Sequence, residues 1–510
     1  MKKYLLLTCL GLLSLGALEA KPPNIVFILT DDQGPGDVSA LNPDGRIPTP
    51  HIDRLAAEGM TFPDAHSSSA VCTPSRYSIL TGRYAWRSPL KRGVLMGFSP
   101  PLIESGRTTV GSFLQDLGYH TACIGKWHLG MDWAVKADTP NGKPGRRGPA
   151  AKHIDFAEPI ANGPTTRGFD EFFGISASLD MAPYVYIEND RVTRVPDRDD
   201  SFPWILGGDR RTRRGPTAED FDAADVLGDL TRRAVAYLDE RAAEPDKPFF
   251  LYFPLASPHT PILPTDDWQG KSGVNYYADF TMETDSSVGE ILKALDRHEL
   301  AEDTIVMFAT DNGCSPEADF ETLAEAGHHP SGPYRGHKAD LFEGGHRVPF
   351  FVRWPGNVGA GSSHPHPVGL HDLLATCADV LGRDLPDSAG EDSVSLLPAL
   401  RGETAEPLRE SLVNHSINGS FALRQGKWKL LLCPGSGGWS APRPRNANDL
   451  PPVQLYDLDA DPAETTNLSD QHPERVASMT RDLETLVKNG RSTPGEPQSN
   501  DGKVDIRRGD

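Results

Sequence analysis

The chain has 510 residues, 38% hydrophobic and 24% charged, and its 49 glycines and 45 prolines describe a loop-rich globular protein with ample length for a large core. Its formal net charge of −20 at pH 7 argues against nucleic acid as a partner, and any anionic ligand must be held by a local group of cations or by a metal. Beyond residue 20 no stretch is long and apolar enough to read as a membrane span.

Residues 1–20 combine Lys2 and Lys3 with an apolar run over 5–18 and small residues near Ala20, the pattern of a secretory signal. A secreted or periplasmic protein starting near Lys21 is therefore expected. Cys9 would leave with the leader. Apart from Cys72, the cysteines at 123, 314, 377 and 433 allow two disulfides at most, and we read them as buried thiols.

Residues 24–30, Asn-Ile-Val-Phe-Ile-Leu-Thr, read as a strand buried on both faces of a parallel sheet. Asp31 and Asp32 follow at its carboxyl end, where open α/β sheets place their sites; the Asp-Asp-Gln-Gly run is also an ordinary polar turn. Residues 49–59 carry a cap, a first-turn Pro50 and a terminal Gly59, which predicts a helix. In the run 71–83, Pro74 suits a first helical turn and Gly82 a helix end, so a short helix should begin beside Cys72. Its free N–H groups, with Arg76, suit a tetrahedral anion.

Val110, Phe113, Leu114 and Leu117 recur at helical spacing, and a strand follows over 119–125. Lys126 and His128 come next and can project to one side of an extended backbone. Residues 133–164 read as a surface excursion. Asp180 and Tyr184 lie on an aromatic loop whose tyrosines fit strand packing or stacking on a sugar, and 197–214 reads as solvated. A helix is expected over 223–242 and a strand over 248–254, with His259 held on a stiff loop between Pro258 and Pro261.

A helix over 282–300 leads to a strand at 304–310, closed by Asp311 and Asn312. Residues 335–338 and 343–349 supply further cations, Lys338 among them, before a strand at 350–354 and an apolar helix at 371–381. From about residue 401 the pattern changes to a hairpin over 421–432 and a short strand at 455–458. The expected organisation is a catalytic α/β domain over 21–400, a small antiparallel domain over 401–490 and a loosely ordered polar tail over 491–510.

Cys72-Thr73-Pro74-Ser75-Arg76, followed by Thr81-Gly82-Arg83, resembles the signature of the type I, formylglycine-dependent sulfatases, arylsulfatase-like members of the alkaline phosphatase superfamily. The resemblance spans roughly residues 24–468 and includes Leu455-Tyr456-Asp457-Leu458, Asp461-Pro462, Glu464 and Asn467-Leu468. It implies a large mixed, mostly parallel sheet flanked by helices. It also implies that a formylglycine-generating enzyme converts Cys72 to 3-oxoalanine, Cα-formylglycine. Asp31, Asp32, Asp311 and Asn312 would hold one Ca²⁺ with an oxygen of modified Cys72. Arg76 and Lys126 would steady the formylglycine and the sulfate, His128 would take a proton from the aldehyde hydrate, and His259 with Lys338 would serve the leaving group and the sulfate oxygens.

A geminal diol solves a chemical problem here, because one hydroxyl attacks sulfur and the other, deprotonated, expels sulfate by C–O cleavage. A serine or thiol would leave an ester that water must break again at sulfur. The proposed ligands are oxygens, which favours Ca²⁺ over Zn²⁺ and leaves Mg²⁺ open. The expected activity is exported hydrolysis of O-sulfate on a carbohydrate. The alternatives are a phosphomonoester or phosphonate hydrolase of the same superfamily, or a non-catalytic binder of sulfated glycans. The run 180–184 and His415-Ser416-Ile417-Asn418-Gly419 resemble the galactose and N-acetylgalactosamine 6-sulfatase branch, which implies substrate contacts at Asp180, Tyr184 and His415.

Overall fold

The computed structural model describes residues 21–137, 145–443 and 449–507. The expected leader at 1–20 lies outside the described residues. The strand Asn24–Thr30 runs through the middle of a ten-stranded sheet, parallel to Thr304–Thr310 on one side and Phe249–Pro254 on the other. His120–Lys126 and Glu171–Ile175 extend the parallel part. Phe350–Arg353 pairs antiparallel on the opposite flank, so the sheet is mixed but mostly parallel at its centre.

Period-two alternation divides the central strand between two cores. Ile25, Phe27 and Leu29 face one layer with helices Cys72–Thr81, Val110–Asp116 and Leu373–Val380, while Val26 and Ile28 face the other with Pro50–Glu58, Val226–Ala242 and Tyr276–Arg297. All seven residues of the strand are buried. At about 1.5–3 kcal/mol for each large apolar side chain buried, this layer fixes the strand order that positions the loops at its carboxyl edge.

A separate four-stranded antiparallel sheet follows, formed by Leu412–His415, Phe421–Gln425, Trp428–Leu431 and Gln454–Asp457. The hairpin and the last strand match the expectation. The strand at 412 and the helix Pro473–Asn489 do not appear in the sequence reading, although Val476, Met479, Leu483 and Val487 before Gly490 form a helical stripe that packs on this sheet.

Three expectations change. The helix expected from 282 starts at Tyr276, because the Asn275 side chain accepts the Ala278 N–H and caps it two turns earlier. The segment 197–214 is not simply solvated: Arg198–Asp200 pairs with Gly215–Thr217, and Phe202 and Thr212 are buried. The segment after Gly490 is tied down, since Arg83 donates to the Ser499 carbonyl at 2.9 Å, Arg87 to Asn500 Oδ1 at 3.1 Å, and Ile506 joins an apolar cluster. Cys72, Cys123, Cys314, Cys377 and Cys433 are all free and buried.

Candidate active site

Thr30 and Thr310 are direct partners in the parallel register, so Asp31-Asp32 and Asp311-Asn312 leave adjacent strands side by side. Lys126 ends a third parallel strand, and His259 lies five residues beyond the end of a fourth. The helix Cys72–Thr81 is buried throughout and aims its first turn at this edge. Gly82 ends it in the left-handed region at φ 63°, where a Cβ would lie 2.8 Å from the Gly390 Cα, so only glycine fits.

Three buried carboxylates meet three buried cations. Arg76 donates from Nε to Asp311 Oδ2 at 2.8 Å and from Nη2 to Asp31 Oδ2 at 3.1 Å, while its Nη1 reaches the Lys126 carbonyl at 2.8 Å. The Lys126 ammonium also pairs with Asp31. Lys338 Nζ lies 2.6 Å from Asp32 Oδ2, and Asn312 Nδ2 donates to Asp32 Oδ1 at 2.6 Å. Burial favours a neutral Asp31, but Lys126, His259, Arg76 and Lys338 outweigh it and hold this carboxyl well below its usual range. Asp311 goes the other way: burial and the charge of Asp31 push it up to about 7.

The residues present fit a hard divalent cation. Asp31 Oδ1, Asp311 Oδ1 and Asn312 Oδ1 are buried and have no hydrogen-bond partner. Candidate ligand atoms of Asp31, Asp32 and Asp311 lie within 4.8 Å of one another, as do those of Asp31, Cys72 and His259. A cation among these oxygens would satisfy the orphaned acceptors and relieve the repulsion that raises Asp311. The Cys72 thiol is pushed up to about 11 by burial, against Lys126 and Lys338, so unmodified cysteine stays protonated and poorly nucleophilic at neutral pH.

The two histidines are held differently. His128 Nε2 meets the Leu95 carbonyl at 3.0 Å, and burial together with Lys126 keeps its ring neutral. His259 lies 3.4 Å from Asp32 Oδ2, while burial and Lys338 lower its proton affinity. Asp32, His128 and Ala339, beside Lys338, adopt positive φ of 66°, 54° and 82°, a conformation costing roughly 1–3 kcal/mol that the surrounding contacts must sustain. Ser178, absent from the sequence reading, bridges Lys126 Nζ at 3.2 Å and His259 Nδ1 at 3.2 Å. The only signal for it was its place three residues past the strand Glu171–Ile175.

The three residues expected at the substrate separate. Asp180 is buried, pairs with Arg213 and keeps Oδ1 without a partner. Tyr184 is a packing residue, with its ring against Phe202 and its hydroxyl bonded to Thr212 Oγ1 at 2.8 Å and to the Arg213 carbonyl. His415 lines a cavity of about 260 Å³ with Trp86, Lys91 and Phe421, and its carbonyl accepts the Ala70 N–H at 3.0 Å. Glu343, His346 and Arg347 do not supply cations to the cleft. They lie between the two sheets, where Glu343 pairs with Lys429 at 2.8 Å and Arg347 with Asp64 at 3.0 Å.

A family model described as Sulfatase matches residues 23–383. The chain belongs to the sulfatase family. This sulfatase is 32% identical to N-acetylgalactosamine-6-O-sulfatase of Bacteroides thetaiotaomicron over 92% of its own length and 94% of that protein, and 32% identical to human arylsulfatase A over 89% and 85%. A solved sulfatase structure from a study of glycosaminoglycan metabolism by Bacteroides thetaiotaomicron superposes with a TM-score of 0.78 at 31% identity, covering 92% of this chain and 99% of the other. The enzyme is thus a sulfuric ester hydrolase with a mixed sheet and a smaller antiparallel sheet. Among its described residues no helix is long and apolar enough to cross a membrane.

Proposed function

We propose that this protein is an exported carbohydrate sulfatase that removes an O-sulfate from a hexose or hexosamine unit, with Cys72 matured to formylglycine and one Ca²⁺ held by Asp31, Asp32, Asp311 and Asn312. The observation that carries the reading is the convergence beside Cys72 of three buried side-chain oxygens without partners. The names of the similar N-acetylgalactosamine 6-sulfatases support the sugar. Residues 1–20 are assigned to the signal, 21–400 to the catalytic domain and 401–490 to the small domain.

When present, the formylglycine hydrate supplies an oxygen nucleophile and Ca²⁺ offsets charge on the sulfuryl oxygens. The protein's own residues do the rest. Lys126 and Lys338 hold sulfate oxygens, and Arg76 fixes Asp31 and Asp311 by direct hydrogen bonds. His128 donates from Nε2 to Leu95, so its unpartnered Nδ1 carries the lone pair that accepts a proton in the cleft. His259 gives a proton to the leaving sugar oxygen. An arriving sulfate ester brings negative charge beside it and raises its proton affinity. Asp180 accepts a sugar hydroxyl through Oδ1. Ser178 keeps Lys126 and His259 in register.

The test is sulfate release, followed by ion chromatography, from 6-sulfated N-acetylgalactosamine, 6-sulfated galactose and nitrophenyl sulfate by enzyme made with the formylglycine-generating enzyme. Sulfate from at least one sugar is expected. Turnover of phosphate or phosphonate esters with none of sulfate esters would select the alternative hydrolase, and binding of sulfated sugar without turnover would select the glycan binder.

A further inference from the structure

We propose that Arg92, Arg146 and Arg147 form an anion subsite at the rim of the catalytic cleft, which takes a carboxylate or a second sulfate on the sugar adjoining the one being desulfated. The inference rests on the carbohydrate sulfatase reading and narrows its substrate to a polyanionic saccharide.

The three arginines come together from two separate segments. Arg146 Nη2 donates to the Val94 carbonyl at 3.0 Å and lies over Gly93, where a Cβ would sit 2.9 Å from that nitrogen at a backbone φ of 67°. Gly93 is therefore the residue that gives the guanidinium its seat. Arg92 flanks the same glycine, and its Cβ packs near Gly419. All three side chains are exposed, and none pairs with a carboxylate among the described residues. Burial, then the charges of Arg92 and Arg147, lower the proton affinity of Arg146, as expected where like charges gather.

In a chain of net charge −20, such a group calls for an explanation. Acidic side chains are plentiful, and the other clustered arginines are largely paired: Arg210 with Glu317, Arg213 with Asp180, Arg233 with Glu188. Gathering three guanidiniums with no carboxylate partner among the described residues costs repulsion energy that a ligand anion would offset, within a screening length of about 8 Å at physiological salt.

Their position ties them to the chemistry. Val94, which holds Arg146, precedes Leu95, whose N–H donates to Thr73 Oγ1 at 3.1 Å, next to Cys72, and whose carbonyl accepts from His128 Nε2 at 3.0 Å. On the other side, the Gly93 N–H donates to the Ile417 carbonyl at 2.7 Å, and the Ile417 N–H donates to the Ala339 carbonyl at 3.2 Å, next to Lys338. One loop thus carries the base's anchor and the seat of the cationic group. A saccharide whose sulfate reaches Lys126 and Lys338 can place a neighbouring anion against it, and a guanidinium matches carboxylate or sulfate by paired N–H donors.

The experiment compares kcat/KM for four substrates: 6-sulfated N-acetylgalactosamine alone, and the same sugar joined to a neutral sugar, to a uronic acid, or to a second sulfated sugar. The variants are Arg147→Ser, Arg92→Ser and Arg146→Lys. Each variant should lose about tenfold or more on one or both charged disaccharides, as expected for one charge-assisted hydrogen bond, and stay within about twofold on the other two substrates. The uronate and disulfate arms tell which anion is bound. In the parent enzyme the advantage of a charged over a neutral disaccharide should shrink at raised NaCl. Equal losses on all four substrates, or no loss on any, would overturn the subsite, while the activity on the lone sugar reports that the loop and catalytic site are intact. If the parent enzyme releases sulfate neither from these four nor from the same four built on 6-sulfated galactose, the carbohydrate reading itself has failed.

Discussion

His128 donates from Nε2 to the Leu95 carbonyl over 3.0 Å, and this single bond fixes which ring nitrogen keeps a free lone pair. Nδ1 is left buried and unpartnered in a neutral ring. His128→Ala should therefore lower kcat by about 10²–10⁴-fold with a much smaller change in KM, the loss typical of a positioned proton acceptor. Steady-state kinetics on a sugar sulfate and on nitrophenyl sulfate check this. A variant that only raises KM would assign His128 to binding instead of proton transfer.

In the role proposed for His259, proton donor to the leaving group, its loss should depend on how much that group needs a proton. His259→Ala should cost far more with a sugar sulfate than with nitrophenyl sulfate, whose leaving oxygen needs little help. Ratios of kcat for the two substrates in parent and variant decide the point. Equal losses on both would place His259 in sulfate binding instead.

Asp311→Ala should remove the divalent ion and activity together, since it takes away one of three unpartnered oxygens and leaves Arg76 short of an acceptor at 2.8 Å. In the parent enzyme, Ca²⁺ at a hundred times its dissociation constant should stabilise the fold by about 2.7 kcal/mol. The variant should show no such rise in Tm. Full activity after exhaustive chelation would overturn the ligand assignment for Asp31, Asp32, Asp311 and Asn312.

Maturation of Cys72 should appear as a peptide about 18 Da lighter than the cysteine form when the chain is made with the formylglycine-generating enzyme. Without it, the buried thiol, pushed up to about 11, should resist alkylation at pH 8 in the folded protein and react on unfolding. Cys72→Ala should keep the fold, at a cost of roughly 0.5–3 kcal/mol, while losing turnover. A fully active preparation with only cysteine at this position would exclude the aldehyde.

Stability should fall with pH through buried His371. Burial lowers its pKa from 6.5 to about 4, against the opposing charge of Asp372, so the folded chain binds fewer protons than the unfolded one. The contribution is complete above pH 6.5 and drains away between 6.5 and 4, on the order of 3 kcal/mol at the lower end. His415, also lowered to about 4, acts in the same direction. Urea unfolding at pH 7.5 and pH 5 should show the loss, and His371→Gln should flatten it. An unchanged slope in that variant would mean that other groups govern acid stability.

The sequence by itself determined the parts of the protein that depend on neighbours along the chain. The strand at 24–30 follows from unbroken apolar and β-branched residues, the helix at Cys72 from Pro74 and Gly82, and the oxygen pairs at 31–32 and 311–312 from their places at strand ends. The tertiary structure alone decided what depends on residues far apart in the chain. Only the Thr30–Thr310 register puts the two oxygen pairs side by side, and only the fold brings Ser178 between Lys126 and His259 or seats Arg146 over Gly93. Tyr184 shows the limit clearly: a tyrosine on an aromatic loop is compatible with stacking on a sugar, but Phe202 and Thr212 enclose it. Periodicity reports which face of an element is apolar. Which groups meet across that face is set by packing between elements hundreds of residues apart, and no local pattern carries it.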